Sequence, residues 1–222
     1  MEIVRIAIDG PSGAGKSTIA KEIAKELSID YIDSGAMYRA VGYKMIEKGV
    51  SLGDEEGILN LLKDTEIDFR EGRIYLDNED ISDRIRTPQI SKIASDCSSL
   101  FPVREKLVEL QRKMGEKKSI IMDGRDIGTN VFPDAEFKFY ITATVSERAR
   151  RRYLELLEKG DLQTFDEVLK DMEKRDYNDS TRELNPLVKA EDAILVDTTC
   201  MTIEEVKEYI LREIRNDHFK TL

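Results

Sequence analysis

The fold of this chain is decided by the stretch Gly10-Pro11-Ser12-Gly13-Ala14-Gly15-Lys16-Ser17. It matches the pattern G-x-x-x-x-G-K-[S/T] at every specified position, between a short apolar run and a helical pattern. Glycines allow successive backbone N–H groups to face one anion, and the start of the following helix adds a positive dipole end. The stretch therefore predicts a phosphate-binding loop. The residues predicted to bind ATP are Gly10, Pro11, Ser12, Gly13, Ala14, Gly15, Lys16, Ser17 and Thr18.

A magnesium site is expected next to this loop. Lys16 is long enough to reach the β- and γ-phosphates, and the Ser17 hydroxyl is a typical ligand of Mg²⁺. An aspartate at the end of an apolar strand is the usual second ligand. Asp123 and Asp33 both fit, so Ser17, Asp123 and Asp33 are the predicted metal ligands. Asp9 ends the first strand and also faces the predicted cleft, although a turn-capping or helix-capping role stays open for Asp9 and Asp33.

Strand patterns alternate with helix patterns along most of the chain. The predicted strands are 3–8, 30–33, 120–122, 137–141 and 193–196. The predicted helices between and after them are 16–27, 36–48, 146–157 and 203–214. This alternation predicts a doubly wound α/β fold with a parallel sheet.

One region interrupts the alternation. Two strand-like runs, 67–70 and 73–76, flank Glu71-Gly72 and are followed by a polar turn at 77–80. We interpret them as a small antiparallel insert, at about 63–87, within one domain. A helical stretch at 88–114 follows, with an interruption near Phe101-Pro102.

The composition excludes several classes of protein. With 35 basic and 45 acidic residues, the formal charge is −10, which argues against binding to nucleic acid or to a membrane surface. No apolar stretch approaches the ~18 residues of a membrane span. Cys97, Cys200 and the single histidine, His218, have no metal-ligand spacing, which argues against a zinc site or a histidine-based triad. We expect a cytoplasmic protein, and a monomer.

The arginines favour a kinase for a small molecule. Arg148, Arg150, Arg151 and Arg152 lie within one helical pattern, and Arg175 and Arg182 follow. Guanidinium groups stabilise the charge that spreads over a phosphoryl group in transfer, and a closing lid excludes water. The alternative is a solvated helix face on which these arginines pair with Glu147, Glu155 and Glu158. The guanine-reading motif Asn-Lys-x-Asp and the transporter motif Leu-Ser-Gly-Gly are both missing from the sequence.

Further motifs along the chain match one family. They are Asp33-Ser-Gly-Ala-Met-Tyr-Arg39, Ile85-Arg-Thr87, Phe101-Pro102 with Val103-Arg104, Asp123-Gly-Arg-Asp-Ile-Gly-Thr129, Val131-Phe-Pro-Asp-Ala135, and Arg175-Asp176 with Asp179 and Arg182. With these motifs and the loop, the chain resembles the bacterial cytidylate kinases over nearly its whole length. The resemblance implies a five-stranded parallel core at about 1–34, 115–145 and 183–222. It also implies a monophosphate-binding region at about 35–114 and a helical lid at about 146–182.

The resemblance also implies roles for individual residues. The implied catalytic residues are Lys16, Arg125, Arg148 and Arg152. The implied CMP-binding residues are Ser34, Tyr38, Arg39, Ser95, Arg104, Arg125, Asp126, Arg175, Asp179 and Arg182, with Arg86 as a further candidate. A carboxylate such as Asp126 accepts from the cytosine amino group, and Arg104 donates to the ring acceptors, so uracil would be mispaired.

The reaction implied by the resemblance is transfer of the γ-phosphate of ATP to CMP or dCMP with Mg²⁺, directly and in line. A phosphate oxygen is already anionic, so no strong general base is required. Two alternatives stay open: a kinase for another small acceptor, such as UMP or dephospho-coenzyme A, and a regulatory module that binds ATP without turnover.

Overall fold

The computed structural model describes residues 3–158, 160 and 162–218 of the chain, with side chains up to residue 216. Its strands, in chain order, are β1 (Arg5–Asp9), β2 (Asp30–Asp33), β3 (Ile67–Arg70), β4 (Arg73–Leu76), β5 (Glu79–Asp80), β6 (Ile120–Gly124), β7 (Phe137–Thr142) and β8 (Ile194–Asp197). Five of them form a parallel sheet in the order β2-β6-β1-β7-β8, which confirms the predicted core. In this sheet, β6 and β7 pair with opposite edges of β1. A crevice therefore opens at the carboxyl end of β1, where ligands bind in such sheets.

The helices cover both faces of this sheet. They are α1 (Lys16–Leu27), α2 (Ser34–Lys48), α3 (Glu55–Lys63), α4 (Pro88–Cys97), α5 (Phe101–Gly115), α6 (Val145–Glu158), α7 (Phe165–Thr181) and α8 (Ile203–His218). In β1, Ile6 and Ile8 join the core that contains α1 and α8, while Ala7 joins the core that contains α2 and α5. A strand buried on both faces reads as a continuous apolar run, which is why these strands were visible in the sequence.

The predicted stretch 88–114 is two helices, α4 and α5, because the chain is extended at Leu100, which confirms the interruption expected near Phe101-Pro102. Pro102 lies in the first turn of α5, where its missing N–H is not needed. Helix α3 was not predicted at all. Asp54 caps it by accepting from the backbone N–H of Gly57 at 2.9 Å.

The insert is a three-stranded antiparallel sheet, β3-β4-β5. Both of its turns have two residues with positive φ: Glu71 and Gly72 at 51° and 76°, and Asp77 and Asn78 at 50° and 69°. Such turns suit the twist of a two-residue hairpin. The sequence interpretation of 77–80 as a polar turn is therefore wrong in its second half, because Glu79–Asp80 forms β5 and pairs with β4.

A buried lysine joins the insert to the core. The Lys44 ammonium on α2 donates to the backbone carbonyl of Asp64 at 2.6 Å and lies 2.6 Å from the Asp77 carboxylate. Lys44→Met is expected to lower the free energy of unfolding by about 1–3 kcal/mol, because both acceptors lose their partner. Urea unfolding checks this, with Lys48→Met on the exposed side of α2 as the control. Equal stability of the two variants would contradict the prediction.

Helices α6 and α7 lie within the stretch for which the sequence predicts a helical lid, and their role as a lid stays a prediction. Their shared core is small: Ala149, Leu156, Val168 and Met172 are its buried members. Tyr153 and Phe165 pack edge to face beside it, with ring centroids 6.1 Å apart. Thr164 and Glu167 form a capping box at the start of α7. None of the helices in the described part of the chain is both long and apolar enough to span a membrane.

Candidate active site

The phosphate-binding loop joins β1 to α1 at the crevice. Gly10 has a φ of 146°, and a Cβ there would lie 1.9 Å from the Ile141 carbonyl oxygen, so only glycine fits. Gly13 and Gly15 also have positive φ, at 73° and 89°. Lys16 is 5% exposed and donates from Nζ to the Pro11 carbonyl at 2.7 Å. Burial, together with the charge of Arg125, lowers the pKa of Lys16.

Ser17 and Asp123 meet at the start of α1. The Ser17 hydroxyl donates to the Asp123 carboxylate at 2.8 Å, and the Tyr31 hydroxyl donates to its other oxygen at 2.7 Å. Burial, and then the charge of Asp33, raise the pKa of Asp123. A hydroxyl and a carboxylate side by side are hard oxygen donors that suit Mg²⁺, which usually keeps few protein ligands and takes the rest from phosphates and water. The residues therefore fit a magnesium ion bound with a nucleotide.

Asp33 has local partners for both of its oxygens. It caps α2 by accepting from the backbone N–H of Ala36 at 2.9 Å, and it pairs with Arg39 at 2.8 Å. The capping role that the sequence left open is therefore present, and metal ligation by Asp33 stays a prediction. The pair orients Arg39, whose Nε is buried and has no partner in the described part of the chain. An unused guanidinium donor is suited to an incoming phosphate.

A buried ionic cluster lies beyond the end of β6. Arg104 and Asp126 are 2% and 5% exposed, and Arg104 donates to one carboxylate oxygen at 2.5 Å. Arg182 donates to the other oxygen at 3.2 Å. The Arg104 guanidinium also lies 5.7 Å from the centre of the Tyr38 ring. The cluster thus brings together four residues predicted to bind CMP, from four parts of the sequence.

A second group of arginines gathers near Lys16. Arg125 donates to the Asp179 carboxylate at 2.8 Å. Burial, and then the charge of Arg125, lower the pKa of Arg175 to about 10, and Arg39 and Arg152 act in the same direction. Cations that disfavour one another in the free protein are stabilised when an anion binds between them. This arginine group therefore has the electrostatics of a phosphate site.

The lid arginines are already engaged. Arg148 donates to the carbonyls of Ala143 and Ser12 at 2.9 and 3.0 Å and lies 2.6 Å from the Asp176 carboxylate, so it connects the phosphate-binding loop to α7. Arg152 pairs with Glu155, while Arg150 and Arg151 both pair with Glu147. The helix-face pairing considered from the sequence is thus present for three of the four. The predicted catalytic roles of Arg148 and Arg152 stay predictions.

The two serines predicted to bind CMP, Ser34 and Ser95, differ in burial and in position. Ser34 is buried at the start of α2 and donates to the backbone carbonyl of Asp123 at 2.6 Å. Ser95 is half-buried on α4, and its carbonyl accepts from the Ser98 hydroxyl. The carbonyl of Ser98 accepts from Arg104 at 3.1 Å, which connects α4 to the ionic cluster.

Sequence reasoning missed two residues of the site. Tyr31 holds Asp123, and Asn130 donates from its side chain to Asp126 at 3.1 Å. The Tyr31 contact depends on how the ends of β2 and β6 lie side by side, whereas Asn130 lies four residues after Asp126 on the turn that follows β6. Their one signal in the sequence is position, since each belongs to or follows a motif strand.

The sheet order and the phosphate-binding loop define the class: the chain has the P-loop nucleoside-triphosphate-binding fold. Solved structures agree on the fold. Shikimate kinase from Bacteroides thetaiotaomicron matches with a TM-score of 0.50 at 14% identity, covering 96% of this chain and 99% of that one. An uncharacterized protein from Eubacterium ventriosum matches with a TM-score of 0.52 at 14% identity, covering 96% and 98%.

Sequence relatives narrow the class to a family. The family model for cytidylate kinase matches residues 6–216. The cytidylate kinase of Clostridioides difficile is 52% identical over 209 residues, covering 94% of this chain and 97% of that protein. The cytidylate kinase of Caldanaerobacter subterraneus subsp. tengcongensis is 52% identical over 214 residues, covering 96% of each. The chain belongs to the cytidylate kinase family, which confirms the resemblance found in its motifs.

Proposed function

We propose that this protein transfers the γ-phosphate of ATP to CMP or dCMP, giving ADP and CDP or dCDP. The observation that carries the proposal is the buried Arg104–Asp126 pair beyond the end of β6. Burying two charges costs free energy unless each has hydrogen-bond partners. When such a pair also faces a ligand, a ligand that cannot pair with both charges binds less well. A cytosine edge offers an amino donor to Asp126 and ring acceptors to Arg104. The family of the chain supports the same acceptor.

The remaining residues have roles that follow from their places. Lys16 would contact the β- and γ-phosphates from the loop, while Ser17 and Asp123, with Asp33 nearby, would hold Mg²⁺. When bound with ATP, this ion neutralises charge on the phosphates. Arg39, Arg125 and Arg175 would bind the acceptor phosphate, with Ser34 and Tyr38 beside them, and Asp179 and Arg182 would contact the ribose. Ser95 would help to recognise the base.

Catalysis on this reading is positioning plus electrostatic stabilisation. The acceptor oxygen is anionic, so the site requires no strong base and forms no covalent phosphoenzyme. The arginines would stabilise the charge that spreads over the transferred group. The monomeric state, the cytoplasmic location and the boundaries of the lid stay predictions.

An ADP-release assay with CMP, dCMP, UMP, AMP and dephospho-coenzyme A side by side tests the proposal. Turnover with CMP and dCMP well above that with UMP or AMP is the expected result. Preference for UMP, or turnover only with dephospho-coenzyme A, would assign a different acceptor, while the assignment as a kinase would stand. ATP binding without turnover on any acceptor would favour a regulatory module.

The lid is expected to be the most mobile part of the ligand-free protein. Its four-residue core is much smaller than the two cores of the sheet. Small cores open at low free energy, so amides in 146–158 and 164–177 should exchange quickly. CMP together with a non-hydrolysable ATP analogue should protect them, because the arginines then hold phosphates. Hydrogen exchange measures this, and equal protection with and without both nucleotides would contradict it.

A further inference from the structure

The turn that carries Asp126 begins in an unusual way. Asp126 is the residue before a π-helical turn, Ile127–Val131, and its carbonyl accepts from the backbone N–H groups of Asn130 and Val131 at 2.9 and 3.1 Å. The first N–H groups of any helical turn have no partner within it. An aspartate in this position normally accepts from them with its own side chain. The Asp126 side chain does not, since it faces Arg104 and Arg182.

A different aspartate accepts from those N–H groups. Asp9, the last residue of β1, is 5% exposed. Its two carboxylate oxygens accept from the backbone N–H of Ile127 at 2.8 Å and of Gly128 at 2.7 Å. Within the described residues, no lysine or arginine forms an ion pair with it. Burial raises the pKa of Asp9 to about 6, while the hydrogen bonds from the backbone N–H groups of Gly128 and Ile127 act to lower it.

The turn and Asp9 lie in direct contact. A Cβ on Gly128 would lie 3.4 Å from Asp9 Oδ2, which is an ordinary contact distance, and 3.2 Å from Cδ of the flexible Lys138 side chain. Asp9 also directly precedes Gly10, the first residue of the phosphate-binding loop. One side chain therefore connects the start of the ATP loop to the turn that carries the base-reading carboxylate.

We propose that Asp9 is a positioning residue for nucleobase selection: it caps the turn at Ile127–Val131 in place of Asp126 and so leaves the Asp126 carboxylate in the acceptor pocket. The proposal rests on the proposed function of Asp126. Without Asp9, the unpartnered N–H groups compete with Arg104 and Arg182 for the Asp126 side chain. Asp126 then turns toward its own backbone, and the pocket loses the group that distinguishes cytosine from uracil.

The test is Asp9→Asn, which keeps the size of the side chain. Asparagine has one acceptor oxygen for the two backbone N–H groups, and its amide NH₂ would face the other N–H. We expect the ratio of kcat/KM for CMP over UMP to fall about tenfold, the scale of one lost hydrogen bond. The loss should appear mainly in the KM for CMP, with the KM for ATP changed less than about twofold, since the phosphate-binding loop keeps its contacts. The ¹H–¹⁵N resonances of Ile127 and Gly128 should move, because both amides lose a carboxylate acceptor.

Lys44→Met is the matched control, because it also removes a buried charge, but Lys44 contacts Asp64 and Asp77 rather than the turn or the pocket motifs. It should lower stability without changing the CMP/UMP ratio. If Asp9→Asn lowers stability but keeps the wild-type ratio, Asp9 is only structural and the proposal is overturned. If the wild-type protein shows no CMP-dependent turnover, the proposed function fails instead, and the amide resonances still report the cap.

Asp9→Ala covers the case in which Asp9→Asn does not fold. It removes both acceptor oxygens and sets no donor against the backbone N–H groups of Ile127 and Gly128. A lowered CMP/UMP ratio in this variant supports the proposal, and an unchanged ratio overturns it.

Discussion

Lys16→Ala is expected to lower turnover with CMP by at least ~10²-fold, the scale of removing one preorganised charge from a phosphoryl-transfer site. Lys16 lies at the end of the phosphate-binding loop, 5% exposed, with Nζ on the Pro11 carbonyl. Burial and the charge of Arg125 lower the pKa of Lys16, whereas three carboxylates raise it: those of Asp123, Asp9 and Asp179. Lys16 therefore lies at the electrostatic centre of the site. Alanine leaves that position without a donor.

The fold should tolerate this change well. Burial disfavours the charged form of Lys16 in the free protein, so removing the ammonium relieves a desolvation cost. The loss should therefore appear in kcat, while the melting temperature stays near that of the wild type. Phosphates supply the negative charge that favours the ammonium once ATP is bound.

Lys25→Ala is the matched control, since Lys25 lies on the exposed side of the same helix, α1. It should keep wild-type turnover. Steady-state ADP release and thermal unfolding of both variants make the measurement. Near-normal turnover of Lys16→Ala would remove the basis for assigning the loop to ATP.

The sequence allowed the parallel core to be predicted because local patterns determine it. Buried parallel strands read as apolar runs, and each leads into a recognisable turn or helix. Strand β5 was missed because it has only two residues, both acidic, and its pairing depends on the positive φ of Asp77 and Asn78. Helix α3 was missed because it has only nine residues, although its buried residues Ile58, Leu61 and Leu62 have helical spacing.

The candidate site divides in the same way. The phosphate-binding loop is contiguous in sequence, and its position between β1 and α1 was therefore predictable. Contacts beyond the ends of the strands were not predictable, because the Asp9–Gly128 and Tyr31–Asp123 hydrogen bonds join residues far apart in sequence. The ion pairs of Arg150 and Arg151 with Glu147 were foreseeable from helical spacing. The hydrogen bond from Arg148 to the carbonyl of Ser12 was not foreseeable, since it requires α6 to lie against the phosphate-binding loop.

Asp126→Asn is expected to relax the preference for CMP over UMP. The carboxylate only accepts hydrogen bonds, so it favours the amino group of cytosine over the carbonyl of uracil. Asparagine offers a donor as well, which suits uracil better. We expect kcat/KM for CMP to fall by an amount equivalent to about 1–3 kcal/mol, mainly through a higher KM, if one charge-assisted hydrogen bond is lost.

Stability should fall in the same variant, because Asp126 also compensates two buried cations. Arg104 and Arg182 both donate to it, and removing one partner of a buried pair leaves uncompensated charge, which costs about 3–5 kcal/mol. The kinetics must therefore be measured at a temperature where the variant is fully folded. Asp96→Asn on the exposed side of α4 is the control for a change of net charge.

The KM for ATP separates base reading from metal binding in Asp126→Asn. Asp126 is three residues beyond Asp123, whose carboxylate lies on Ser17 and not on the Arg104 cluster. A residue that reads the base should leave the KM for ATP nearly unchanged, since the loop binds the other side of the transferred phosphate. Wild-type CMP/UMP selectivity combined with weakened ATP binding would assign Asp126 to the metal site beside Asp123. The base-reading role would then be withdrawn, whereas the assignment as a kinase would stand, because it rests on the loop and on Lys16.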